Sequence, residues 1–142
     1  MILLIDTNVI LDVFLNRTAF LEPSKKILNM CKSGSVQGVL AAHSLSNMWY
    51  ILRKEYNDEE RRALLFSLLD VFDVIALDRA KLVSALERDN FADFEDSLQD
   101  ECATEIRADY IVTRNKKDFK RSKVRALSPE ELVELLSPHP TV

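Results

Sequence analysis

The chain has 142 residues, 47% of them hydrophobic, which is the size of one domain with enough apolar material for a core. Its 23 acidic and 19 basic residues give a net charge of -4, which excludes wholesale attraction to nucleic acid but leaves room for a local basic patch. The only glycines, Gly34 and Gly38, exclude a glycine-rich phosphate loop, and the only cysteines, Cys31 and Cys102, sit in helix-like apolar patterns that suit buried free thiols in a reducing cytoplasm.

The first apolar run, Ile2 to Ile5, reads as a strand; it has no positive leader and is cut short by Asp6, so neither a signal peptide nor a membrane span is expected. A helix beginning near Val9 follows. The stretch PSKKILNMCKSG has a period near 3.6, with Pro23 in its first turn and Gly34 at its end. Val36 to Leu40 is the second strand, and LSNMWYILRKEY the next helix, with His43 near its start. DEERRALLFSLLDVF reads as a helix capped by Asp58, and Val71 to Ala76 as a third strand. DRAKLVSALERD, capped by Asp78, leads to a helix from about Asp93 to Ile106 and a fourth strand, Tyr110 to Thr113. A weaker fifth strand, Val124 to Leu127, precedes Ser128 and Glu131, whose spacing is that of a capping box opening a last helix through Leu136. The strands lie too far apart for hairpins. Their alternation with helices predicts an α/β fold: one three-layer domain over residues 1–137, with a central, mainly parallel sheet of four to five strands flanked by helices. Residues 138–142, with His139, form a proline-rich, flexible tail.

In an open parallel sheet, ligands bind beyond the carboxyl ends of the strands. Asp6 ends the first strand there, followed by Thr7 and Asn8, although a lone aspartate at that position is also an ordinary helix cap. The fourth strand ends in Arg114, Asn115, Lys116, Lys117 and Asp118, which brings an amide and an acid to the same edge or simply makes a polar turn. In NFADFEDSLQD, helical spacing puts Asp93, Asp96 and Asp100 on one face, opposite the stripe Phe94, Leu98, Cys102 and Ile106. A solvated helix face would look the same. Convergence favours a site: acids from three places in the sequence meet at one rim, and that donor chemistry suits magnesium, which takes oxygen ligands and keeps several waters. Asp93 and Asp96, at the helix start, are expected to face Asp6, with Glu95 turned away and Asp100 left as a surface residue or outer support. No histidine and cysteine cluster competes with zinc spacing.

The combination of DTNVILD at the start, DFEDSLQ in the second half and IVTRNKKDF after it resembles the PIN-domain family, particularly its bacterial VapC-like branch of toxin ribonucleases. The resemblance covers essentially the whole chain, and implies a Rossmann-like parallel sheet and divalent-metal-dependent RNA hydrolysis. Asp6, Asp96 and Asp118 match acids of the family, with Asp93 an additional one; Asn8 and Asn115 match polar residues of the site. On the helix after the second strand the family usually carries a glutamate, and this chain has Asn47, which adds no charge. Mg²⁺ or Mn²⁺ held by Asp6, Asp96 and either Asp93 or Asp118 would activate water for attack on the phosphodiester. The run RNKKDFKRSKVR, with Arg114, Lys116, Lys117, Lys120 and Arg121, offers the RNA backbone a path, or is a solvated loop. The resemblance also implies an antitoxin partner, while the apolar helices around Trp49 and Leu64 suit a homodimer. Asn47 motivates a rival, a catalytically silent module that binds RNA or protein. A phosphatase of the haloacid-dehalogenase type would need an aspartate where Asn8 stands.

Overall fold

The computed structural model describes residues 1–91 and 93–138. Five strands form one sheet: β1 (Ile2–Ile5), β2 (Gln37–Ala41), β3 (Asp73–Ile75), β4 (Tyr110–Val112) and β5 (Ala126–Leu127), in the order β3-β2-β1-β4-β5. Every neighbouring pair is parallel. The helices are α1 (Thr7–Phe14), α2 (Leu21–Ser33), α3 (Ala42–Ile51), α4 (Asp58–Val71), α5 (Arg79–Glu87), α6 (Phe94–Glu105) and α7 (Pro129–Leu136). The expected α/β class and parallel sheet are therefore present. The expected tail lies outside the described residues apart from Pro138.

Alternation along β1 explains the three layers. Leu3 and Ile5 face one way, into a core shared with Ile10, Ile27, Met48, Leu68 and Leu132; Leu4 faces the other, into a core with Ala41, Cys102, Ile111 and Phe119. A strand buried on both sides reads as an unbroken apolar run, which is why ILLI was legible. Cys31 and Cys102 are free and buried, one in each core. Gly38 on β2 is required for space: a Cβ there would lie 2.6 Å from the Phe72 ring and 2.7 Å from Cys31 Sγ.

Helix ends follow their side chains closely. Gly34 ends α2 with φ of 82°, the left-handed conformation that glycine adopts without strain. Ser128 and Glu131 form the expected capping box on α7, and Asp78 caps α5. The cap of α4 is Asn57, boxed with Glu60; Asp58 already belongs to the first turn, where its carboxylate meets the helix dipole and Arg61. The third strand is shorter than expected because Val71 and Phe72 finish α4 and its cap. On α6, Leu98 and Cys102 are buried as expected, but Phe94 is 42% exposed. A residue in the first turn overhangs the end of the helix, where fewer side chains pack against it than in the middle.

Candidate metal centre

The carboxyl ends of β1 and β4 lie side by side, so the residues just beyond them meet. Asp6 follows β1; it occupies the cap position of α1 but makes no side-chain cap bond. Its Oδ2 instead accepts from Thr113 Oγ1 at 2.8 Å, and Thr113 Oγ1 accepts from the Asn115 backbone N–H at 3.0 Å. Asp6 is 8% exposed. Burial raises its pKa above the ordinary carboxylate range, opposed by the Thr113 hydrogen bond, a Thr7 backbone bond and Arg114, and reinforced by Asp118.

The α6 N-terminus faces this edge. Asp93 caps the helix by accepting from the Asp96 backbone N–H at 3.1 Å. Asp96 is half-buried, and burial together with the charges of Asp93, Asp6, Asp118 and Glu95 pushes its carboxyl up to about 7. Asp118 arrives on the short 3-10 turn of residues 116–119 that follows β4.

These groups line one pocket of about 400 Å³ containing five carboxylates, Asp6, Asp93, Glu95, Asp96 and Asp118, and four amides, Asn8, Asn47, Gln99 and Asn115. The acids and amides assigned to the site from the sequence, Asp6, Asn8, Asn47, Asp93, Asp96, Asn115 and Asp118, thus line one pocket, and Asp100 does not. Arg17, whose guanidinium also pairs with the buried Asp12, holds Asn8 Oδ1 at 3.2 Å. A larger hollow of about 730 Å³, lined by Phe14, Arg17, Tyr50 and Tyr56 among others, has Glu55 as its one carboxylate, so the acidic cluster belongs to the smaller pocket.

Two placements correct the sequence expectation. Glu95 does not turn away: it lines the pocket and accepts from Asn47 Nδ2 at 3.2 Å. In the first helical turn, side chains flanking the axis on either side both reach the space beyond the helix end. Asp100 is not a surface residue but fully buried, paired with Arg88 and accepting from the backbone N–H groups of Lys123 at 2.8 Å and Val124 at 3.1 Å. Its charge is compensated inside, so it ties the basic loop to α6 instead of lining the pocket.

Sequence reasoning missed Gln99 and Ser44. Ser44 Oγ accepts from Thr7 Oγ1 at 2.9 Å and from Gln99 Nε2 at 3.0 Å, fastening α1, α3 and α6 behind the pocket floor. Gln99, 3% exposed, is left with Oε1 unpartnered. The spacing of Glu95 and Gln99, one helical turn apart, is the signal that could have found Gln99. The nitrogens of His43 are buried and unpartnered, and burial lowers its pKa against the opposing charge of Glu95.

The basic run divides in two. Lys117, Lys120 and Arg121 line a hollow of about 360 Å³ that shares Asp93, Asp96 and Asp118 with the acidic pocket. Lys116 pairs with Glu131 at 2.6 Å, whereas Arg114 lies over the Phe20 ring at 4.2 Å with Nε 3.2 Å from Asp12 Oδ2, close enough for charge pairing but not aligned as a hydrogen bond.

Among the described residues no three histidine, cysteine or acidic side chains are closed at metal-ligand spacing. Five carboxylates around an open pocket, with an orphaned amide oxygen on its wall, suit a hard cation that keeps several of its waters rather than one caged by protein. No described helix is long and apolar enough to cross a membrane.

A PIN domain family model matches residues 3–117. No curated protein sequence matches. Among solved structures, the chain is similar to one in VapBC2 from Rickettsia felis bound to a DNA fragment from their promoter, with 18% identity and a TM-score of 0.70, covering 90% of this chain and 98% of that one. It is also similar to a chain of VapBC-1 from nontypeable Haemophilus influenzae, at 18% identity and a TM-score of 0.69 over 92% and 99% of the two chains. A toxin-antitoxin complex from Klebsiella pneumoniae gives 20% identity and a TM-score of 0.67 over 89% and 96%.

Proposed function

Because the chain belongs to the PIN domain family, we propose that it is a divalent-metal-dependent endoribonuclease, acting as the toxin of a toxin-antitoxin pair. The observation that carries this reading is the convergence of Asp6, Asp96, Asp93 and Asp118 on one pocket. Asp6 and Asp96, already raised in pKa by burial and by neighbouring carboxylates, Asp118 at Asp6 and Asp93, Asp6, Asp118 and Glu95 at Asp96, are the groups that gain most from a neighbouring cation.

Mg²⁺ or Mn²⁺ bound there would acidify a water and neutralise charge on the phosphate. Asp6 and Asp96 would hold the cation, together with Asp93 or Asp118 of the same pocket. Thr113 orients the Asp6 carboxylate from behind, and Asn8 and Asn115 offer amides to the substrate or to ordered water. Lys117, Lys120 and Arg121 receive the RNA backbone in the adjoining hollow, where each phosphate contact releases counterions. That a similar chain belongs to a toxin-antitoxin complex supports an antitoxin partner for this chain. Exposed apolar side chains on α4, Phe66 and Leu69, support a second copy as a further partner.

The test is cleavage of RNA by purified protein in Mg²⁺ or Mn²⁺, expected to stop in EDTA and in Asp6→Ala and Asp96→Asn. Equal cleavage by the wild type and both variants would overturn the site. The second reading, a silent binding module, is motivated by Asn47, and predicts saturable RNA binding with no cleavage at millimolar Mn²⁺.

A further inference from the structure

The resemblance leads one to expect a carboxylate on the helix after the second strand, yet α3 presents Asn47 at the pocket. Asn47 Nδ2 donates to Glu95 Oε2 at 3.2 Å across the gap between α3 and α6. One oxygen of Glu95 is thereby fixed from the α3 side, and the other stays available. Glu95 lines the same pocket as Asp6 and Asp96. One turn further along α6, Gln99 lines that pocket with a buried, unpartnered Oε1. A buried acceptor left without a donor in the wall of a pocket of acids is an independent sign that the pocket takes a cation or its hydration water.

We infer that Glu95 is a cation-binding carboxylate of this site, supplying from the first turn of α6 the charge that α3 lacks, and that Asn47 is the positioning residue that holds it there. The inference rests on the metal-dependent function proposed above. Relocation of the carboxylate preserves the charge of the pocket while moving its source: the donor set reads Asn47 plus Glu95 in place of one glutamate on α3. A divalent ion is indifferent to which helix carries the oxygen, provided that charge and reach are kept.

The experiment is Mn²⁺ binding to the purified protein, followed by calorimetry and by the loss of the free-ion signal in electron paramagnetic resonance, so that no RNA cleavage is needed. Glu95→Gln, an isosteric change at an exposed position, is expected to weaken Mn²⁺ by about 10-fold or more. Asn47→Ala is expected to weaken it several-fold, and Asn47→Gln, which keeps the amide donor, to retain most of the affinity. The double variant Asn47→Glu with Glu95→Gln is expected to bind more tightly than Glu95→Gln alone. Asp6→Asn serves as the control for the whole site. If Asp6→Asn loses Mn²⁺ while Glu95→Gln binds as the wild type does, the role of Glu95 is overturned and the metal-dependent function stands. Failure of the wild type to saturate with Mn²⁺, or wild-type affinity in Asp6→Asn, overturns both.

Discussion

Thr113 Oγ1 donates to Asp6 Oδ2 at 2.8 Å, across 107 positions of sequence, and so joins the ends of two adjacent strands through the side chain most central to the site. Both residues are buried. The bond favours the ionised carboxylate against the burial that opposes it. Thr113→Val keeps the shape and removes the donor, leaving Asp6 less supported as an anion. The loss of one hydrogen bond to a charged group, about 1.5–3 kcal/mol, is expected to appear as Mn²⁺ affinity reduced by roughly 10-fold or more. Titration of Mn²⁺ into both proteins at pH 7.5 measures it; unchanged affinity would show that the hydroxyl does not serve Asp6.

Asp96 carries a pH dependence of definite sign. Its carboxyl is raised from 3.8 to about 7, so in that interval the folded protein holds a proton that the unfolded chain has released. Stability from this group therefore falls as pH rises through the interval, and the loss is complete above it. Asp96→Asn removes the slope. In chelator at pH 8 the variant is expected to exceed the wild type in stability by about 1 kcal/mol, a figure reduced for the solvent screening of a half-buried group. Below pH 4 the two should converge. Urea unfolding at both pH values decides it, and a variant less stable at pH 8 would contradict the assigned repulsion.

Asp100 predicts the opposite response to removal. It is fully buried, with Arg88 and two backbone N–H groups on its oxygens. Asp100→Ala leaves Arg88 with Glu101 alone as its charge partner and both amides without an acceptor, at about 3–5 kcal/mol. The midpoint of urea unfolding should drop accordingly, and RNA affinity should fall with it because the basic loop loses its tether. A loss under 1 kcal/mol would mean that the loop is held by other contacts.

The division of the basic run is testable through salt. Lys120→Ala combined with Arg121→Ala is expected to weaken RNA binding and to flatten its dependence on log salt by about 1.4, from roughly 0.7 for each single-strand phosphate contact. Lys116, paired with Glu131 at 2.6 Å, should change that slope little when replaced by alanine. Fluorescence anisotropy across a salt series gives both numbers, and equal slopes in all variants would remove the loop from the RNA path.

Gly38 offers a control far from the chemistry. An alanine Cβ would meet the Phe72 ring at 2.6 Å, and overpacking of this kind costs about 1–3 kcal/mol. Gly38→Ala is expected to lower the melting temperature while leaving Mn²⁺ affinity unchanged in the folded protein.

The sequence made the strands legible because β1 and β4 are apolar runs buried on both faces, and it made the ends of α2, α5 and α7 legible through Gly34, Asp78 and Ser128. Asp6 and Asp96 could be placed because strand ends and helix starts are fixed points of a parallel sheet. Glu95 and Asp100 were misplaced for a common reason. Helical periodicity gives the angle of a side chain about its own axis but not what stands opposite, and here α3 stands opposite Glu95 while Arg88 and the loop at residues 123–124 stand opposite Asp100. Ser44 carried no signal at all, since its role depends on Thr7 and Gln99, 37 and 55 positions away.

Helix α6 is also a ruler. Asp96 touches the cation pocket and Asp100 pins the backbone of the basic loop, four residues or about 6 Å along the axis, comparable to the spacing of successive phosphates in a nucleic-acid strand. A residue inserted between them would lengthen the rule by only about 1.5 Å but rotate its two marks apart by about 100°. Under the proposed function, the acidic pocket and the tether of the basic loop therefore stand one helical turn apart, and they keep their common face only when that interval changes in whole turns.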